Sequence, residues 1–391
     1  MSSTDRGKIG HLEQPQLLEI SDALHARVQR FASGAAQETF EELALALACF
    51  QAEATPGLKR LLRGRPAPRT LEEIPPLPSA AFRLTRVATY PAELDQARFY
   101  TSGTTGAERG SHVLRRTDTY ELLSLAFGRQ ALLPAQSGGP APVVVALAPR
   151  PETPPTSSLG RMMQWFMQHF DEQPIDAAEP SVDALAKSRW LLDEGAVDLA
   201  GLKRASQAAE RRGSSLLLLG TAFAWVRLLD DLRGQRWPLP NGSLLMQTGG
   251  FKGRTREVSM SELRASLSQQ LGVAPERVVG EYGMTELTSQ LYEATIVESA
   301  LGKRHPDAQP GVYFEPPWLR VTPLDPISLQ PVAEGEPGLA SFVDLGNVDS
   351  ALRIVTQDLV RRARGGIELL GRQPGAAPRG CSLAIEAWLN G

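Results

Sequence analysis

The sequence predicts an α/β fold, with parallel β-sheets flanked by helices and a small β-rich part toward the C-terminus. Three observations predict it. Between residues 97 and 282, short apolar runs alternate with helix-length amphipathic segments, the pattern of βαβ units. After residue 310 the chain turns β-like and rich in proline and glycine. Its 391 residues suffice, at roughly 150 residues per domain, for two or three domains or one large body with an appendage.

The first ninety residues read as helical, because Phe40, Leu43, Ala44, Leu47 and Phe50 recur at steps of three and four. Pro66–Pro78 cannot continue a helix and predicts an extended arm. The candidate strands are Ala97–Tyr100, Pro142–Leu147, Ser215–Leu219, Ser243–Met246 and Val278–Tyr282. The candidate helices are Leu122–Leu132, Arg161–Phe170, Ala222–Leu232 and Ser261–Leu271, the last opened by a capping-box pattern at Ser259 and Glu262. The expected organisation is a helical part and arm over 1–95, a core over 96–372 and a short tail over 373–391.

Composition bounds function. Hydrophobic residues at 42% and charged residues at 22% exclude long disorder and coiled coil. Forty-one Lys and Arg against 44 Asp and Glu leave a net charge of −3, which does not support nucleic-acid binding or a polybasic membrane patch. Cys49 and Cys381 cannot form a disulfide framework and read as free thiols in a reducing compartment. The polar N-terminus has no apolar signal core, and the apolar runs are too short to span a bilayer, so a cytoplasmic protein is expected. The five histidines, His11, His25, His112, His169 and His305, form no i, i+4 pair that would suggest zinc. His112 reads as a surface hydrogen-bonder. Met162, Met163, Trp165, Phe166 and Phe223 have the helical spacing of ordinary core.

Two segments carry chemistry. In Thr101-Ser102-Gly103-Thr104-Thr105-Gly106, two glycines allow close backbone approach and the hydroxyls and consecutive N–H groups can donate to phosphate oxygens. Arg109, Arg115 and Arg116 follow as sources of positive charge. The bland alternative is a flexible Ser/Thr/Gly loop. Downstream, Glu281-Tyr282-Gly283-Met284-Thr285-Glu286 combines an aromatic to cover a purine, a hydroxyl for a phosphoryl oxygen and a carboxylate of the kind Mg²⁺ prefers. Alone, this segment reads equally well as a strand ending in a helix cap.

In this order the two segments resemble the motifs of the adenylate-forming superfamily, which includes acyl-CoA synthetases, luciferase-like enzymes and nonribosomal-peptide adenylation domains. The resemblance implies the fold of that superfamily's N-terminal domain and a site for ATP and Mg²⁺. Thr101 to Gly106 would hold phosphate, aided by Arg109 where the family has lysine. Tyr282 and Gly283 would border adenine, Thr285 would contact the α-phosphate and Glu286 would hold Mg²⁺. Gly249-Gly250 resembles the turn beside adenine. Thr356-Gln357-Asp358 resembles the family's Thr-Gly-Asp, placing Asp358 on the ribose, with Arg361 as the basic residue beyond it. Gly371-Arg372 resembles the Gly-Arg before the family's hinge. The lid domain of about a hundred residues that usually follows is largely missing, since nineteen residues follow Arg372 and no lysine follows Lys303. Lys252 is the expected substitute for the lid lysine; its alternative is a solvated surface residue.

The short chain, the Thr248–Arg254 segment and the terminal Gly380-Cys381-Ser382-Leu383 are similar to LuxE-type acyl-protein synthetases. That resemblance implies activation of a carboxylic acid, fatty or aryl, as acyl-AMP. The acyl group would pass to Cys381 and then to an acyl-CoA/acyl-protein reductase. Cys381 reads alternatively as a small apolar filler at the start of a strand, since Leu383, Ile385, Ala387 and Leu389 alternate. The competing functions are a stand-alone ligase using CoA or an acyl carrier protein, and a nucleotide-binding partner without activity.

Overall fold

The computed structural model describes residues 13–62, 65–101, 109–133, 140–171, 173–175, 187–249, 258–293, 309–375 and 379–390. The chain opens with α1 (Gln14–Ala32), α2 (Phe40–Ala54) and α3 (Pro56–Leu62). Thr39 and Glu42 form a reciprocal capping box that starts α2, a device worth about 1 kcal/mol. The buried face of α2 contains Phe40, Leu43, Ala44, Leu47 and Phe50, as the periodicity predicts.

The proline-rich arm then runs to β1 (Leu77–Pro78), which pairs in parallel with β14 (Arg353–Ala363). Arg353 fixes the arm by donating to the carbonyls of Leu71, Glu72 and Ile74. After α4 (Ala81–Leu84) come β2 (Ala97–Tyr100) and β3 (Ser111–Leu114), an antiparallel pair apart from the main sheet. Ala97–Tyr100 is thus a strand as expected, but of a hairpin rather than of a βαβ unit.

The remaining elements are α5 (Asp118–Leu132), β4 (Val143–Leu147), α6 (Ser158–Phe170), β5 (Leu192–Asp193), β6 (Ala196–Val197), α7 (Leu199–Arg212), β7 (Leu216–Thr221), α8 (Ala222–Leu232), β8 (Leu244–Thr248), α9 (Met260–Leu271), β9 (Val278–Tyr282), β10 (Leu291–Glu293), β11 (Val312–Phe314), β12 (Leu319–Leu324), β13 (Gly338–Asp344), β15 (Gly366–Arg372) and α10 (Arg379–Asn390). One sheet runs in the order β12-β13-β14-β15-β11-β10-β9-β8-β7-β4. Strands β4, β7, β8 and β9 are parallel to one another, and from β9 onward every neighbouring pair is antiparallel. The β-like sequence after residue 310 therefore continues the same sheet. Among the described residues no helix is long and apolar enough to cross a membrane.

Alternation along the parallel strands builds two cores. Val144, Ala146, Leu217, Leu219, Met246 and Val279 face α1, α2, α5 and α6. Val143, Val145, Leu147, Leu216, Leu218 and Leu245 face α7, α8 and α9. Met162, Met163, Trp165 and Phe166 are buried, as their spacing predicts. At the edge of the sheet, Asp171 accepts from the Val144 N–H and from Arg189 and Arg212, and Leu191 donates to the Ala146 carbonyl. These contacts occupy an edge that would otherwise invite another strand.

The C-terminal segment departs from the alternation reading. It is a helix, because Cys381, Ala387 and Trp388 share one buried face at helical spacing while Leu383 and Leu389 are exposed. Trp388 lies against Gly57, and its carbonyl accepts from Arg60 Nε at 2.8 Å. Any β-carbon at position 57 would stand within 2.5 Å of the indole, so glycine is required there.

Candidate active site

The motif residues collect at the carboxyl ends of β8 and β9, the side of a parallel sheet where ligands bind. Strand β8 ends at Thr248, and Gly249 turns the chain with φ +69°, in the left-handed region that glycine adopts without strain. Gln247 Nε2 donates to the Gly249 carbonyl at 3.0 Å. Gly250 and Lys252 lie outside the described residues, as do Ser102, Gly103, Thr104, Thr105 and Gly106.

Strand β9 delivers Tyr282, whose hydroxyl donates to Asp358 Oδ2 at 2.7 Å. Its ring stacks on Phe342, with centroids 5.8 Å apart. Burial, then the Asp358 charge, pushes the phenol well above its usual range, so the proton stays on the hydroxyl. Asp358 sits on β14 opposite Arg372 of β15, bringing three of the expected nucleotide residues to one edge. Arg361 pairs with Glu368 across the ladder at 2.9 Å from Nε. Gly283 leaves room for the neighbouring carboxylate, since a β-carbon would stand 2.6 Å from Glu281 Oε1.

Beyond Gly283 the chain is irregular, and other elements supply its backbone partners. Leu287 N donates to the Met284 carbonyl, and His112 Nδ1 lies 2.8 Å from the Thr285 carbonyl. Asn347 Nδ2 donates to the Glu286 carbonyl at 3.0 Å, and Thr288 N donates to Asp344 Oδ2 at 2.9 Å. Thr285 Oγ1 reaches the Tyr100 carbonyl of β2 at 3.4 Å. Glu286 is buried. The pair β2 and β3 flanks residues 102–108, and Arg109 Nε donates to the Thr101 carbonyl at 3.1 Å.

Sequence reasoning missed several of these residues. His112 is buried rather than superficial, with 1% of its surface exposed. Arg115 and Arg116 are engaged by acids and a serine of other elements. Arg115 bonds Ser21, Asp22 and Asp349, and Arg116 bonds Asp22 and Asp118. Asp344, Asn347 and Asp349 belong to a wholly buried turn, residues 344–350. Their signal was a run of Asp, Gly, Asn, Asp and Ser directly after an apolar strand. Asp349 also accepts from Ser21 and Thr89 and meets His25 Nε2 at 3.1 Å. This cluster ties α1 to the strand pair.

Glu281 is another such residue. It is 4% exposed and accepts from Thr248 Oγ1, joining the ends of β8 and β9. Burial pushes its carboxyl up to about 7, from an ordinary 4.5. Between those values the folded chain holds a proton that the unfolded chain has lost, so stability falls as pH rises, by about 3 kcal/mol in all. Glu281→Gln is expected to remove this component. Denaturant unfolding of both proteins at about pH 5 and about pH 8 checks it, and a wild-type minus variant difference that ignores pH overturns it.

No protein-family model matches the chain. Among solved structures, 2-hydroxyisobutyryl-CoA ligase in an open conformation, in complex with 2-HIB-AMP and CoA, superposes on 85% of this chain and 74% of its own, with a TM-score of 0.55 at 13% identity. The same enzyme in its thioesterification state covers 91% of this chain and 68% of its own, with a TM-score of 0.55 at 14% identity. The fold is that of the adenylate-forming enzymes. In sequence, 216 residues, 52% of this chain, are 24% identical to the long-chain-fatty-acid--luciferin-component ligase of Vibrio harveyi and cover 53% of that protein. A 79-residue stretch, 18% of this chain, is 35% identical to the Aliivibrio fischeri protein of the same name and covers 21% of it. The longer match thus spans about half of its curated relative. In sequence the chain is similar to long-chain-fatty-acid--luciferin-component ligases over about half its length, and in fold it is similar to a ligase bound to 2-HIB-AMP and CoA.

Proposed function

We propose that the protein is an ATP-dependent ligase that converts a carboxylic acid, fatty or aryl, into acyl-AMP and passes the acyl group to a thiol. The observation that carries this reading is the convergence of Tyr282, Asp358, Arg372, Thr285 and Glu286 at the carboxyl ends of the parallel strands. A carboxylate oxygen attacks the α-phosphorus of ATP, and pyrophosphate leaves. The product is a mixed anhydride whose carbonyl carbon a thiolate attacks, expelling AMP.

Asp358, oriented by the Tyr282 hydroxyl, suits the ribose hydroxyls, and Thr285 suits an α-phosphoryl oxygen. Mg²⁺ takes one or two carboxylates together with substrate phosphates. A single buried carboxylate, Glu286, fits that need. Bound there, the ion would neutralise charge on the pyrophosphate.

Cys381 is the proposed first acceptor, with a partner reductase as the next. Its thiol is buried against Leu324, Leu339 and Val355, and burial pushes its pKa up to about 11. It therefore needs α10 to move before it can react. That burial favours a second reading, direct transfer to CoA or a carrier-protein thiol. The test is incubation with ATP, Mg²⁺ and a panel of acids. Exchange of labelled pyrophosphate into ATP is expected with at least one acid, and none with any would overturn the reading. A hydroxylamine-labile acyl adduct on the Cys381 peptide supports self-acylation. Full thioester formation on CoA by Cys381→Ser assigns the acceptor to the external thiol.

A further inference from the structure

The residues from Met284 to Thr288 form neither helix nor strand, yet they are largely buried and carry the proposed phosphate and Mg²⁺ groups. Buried backbone carbonyls need donors, and here two consecutive ones, of Thr285 and Glu286, receive them from side chains of separate elements, His112 of β3 and Asn347 of the buried turn. The His112 contact differs from the other because of where its strand leads. Phe99 pairs with His112 and Tyr100 with Ser111, so His112 sits at the base of the strand pair that flanks residues 102–108. Tyr100 in turn accepts from Thr285 Oγ1 through its carbonyl. Thr285 is thus gripped from both strands at once, by side chain and by main chain.

A carbonyl only accepts, so the imidazole must carry its proton on Nδ1 to bond Thr285. Nε2 is then a bare lone pair, buried and without a partner. Phe82 meets the ring edge-on at 5.5 Å and fixes its plane. Burial holds the imidazole pKa at about 4, against the Thr285 bond, so the ring stays neutral and is a poor proton carrier near pH 7.

We propose that His112 is a positioning residue, whose Nδ1–H holds the Thr285 carbonyl so that the strand pair bearing the glycine-threonine loop and the segment bearing Glu286 keep one relative placement. The proposal rests on the ligase reading for its kinetic consequence and not for its structural one. Tyr282 and Asp358 stand on other strands, so ground-state binding of the nucleoside does not depend on His112. Thr285 and Glu286 act on charge that develops at the phosphates, and misplacing such groups by about 1 Å costs on the order of 10²-fold.

Three variants test it. Asn places an amide nitrogen where Nδ1 stands, Gln places one where Nε2 stands, and Phe keeps the ring without a donor. In ATP–pyrophosphate exchange, His112→Phe and His112→Gln are expected to lose at least about tenfold in kcat, with KM for ATP within about threefold, while His112→Asn retains kcat within about threefold. Hydrogen–deuterium exchange on the ligand-free proteins should show amides of 284–288 exchanging at least about tenfold faster in His112→Phe and His112→Gln than in wild type and His112→Asn. Wild-type kcat in His112→Gln, or equal loss in all three variants, overturns the proposal. Should wild type support exchange with no acid, the ligase reading fails. The amide exchange rates then decide the placement role alone, and equal protection in all four proteins rejects it.

Discussion

Glu286→Gln is expected to lower ATP–pyrophosphate exchange by on the order of 10²- to 10³-fold, the loss typical when one preorganised electrostatic group is removed from a site where charge develops. Glutamine retains a ligating oxygen and the volume of the side chain but not the charge that Mg²⁺ prefers. The main chain at this position is held by Asn347, a bond that the substitution does not touch. Exchange assays across a range of Mg²⁺ concentrations check it, with partial recovery expected at high metal. Wild-type exchange in the variant would remove Glu286 from the metal site.

Trp388→Ala is expected to raise the alkylation rate of Cys381 by on the order of 10²-fold. Truncating a buried tryptophan removes about 3–5 kcal/mol of packing. Here that packing joins α10 to Gly57 and to the Arg60 clamp, and Trp388 lies on the same helix face as Cys381. Opening of the helix exposes the thiol and releases it from the burial that pushes its pKa to about 11, so both changes favour reaction. Cys49, half-buried in α2, is the internal reference. If both cysteines accelerate equally, the variant unfolds globally. If neither does, α10 does not gate Cys381. Either result removes the helix as the control on self-acylation.

The regular parts of the fold were legible because burial enforces periodicity. Val278–Tyr282 and Ala222–Leu232 occur with the boundaries expected from their apolar patterns, and Ser259 with Glu262 caps α9 as the spacing implies. For the candidate site, the sequence carries residue types that suit a nucleotide, while the partners of those residues were not legible in it. Nothing local links Tyr282 to Asp358 or Thr285 to His112, because these bonds join positions 76 and 173 residues apart. The partners of the basic residues were not legible either. Arg115 and Arg116 follow the glycine-threonine loop closely, yet they bond acids of α1 and α5, and Arg361 bonds its cross-strand neighbour. Cys381 shows the limit of period-two reading in a short segment, where four alternating apolar residues proved compatible with a helix.

The arm pinned by Arg353 has a consequence for synthesis on the ribosome. Its carbonyl at Ile74 waits for a guanidinium 279 positions later, and β1 has no strand to pair with until β14 emerges. At ~5–20 residues per second that interval is on the order of tens of seconds. Throughout it, the apolar faces of α2 and α3 that later meet the antiparallel strands and Trp388 lack those partners. The arrival of the strand that carries Asp358 closes the arm, and the face of α3 waits longer still, for Trp388.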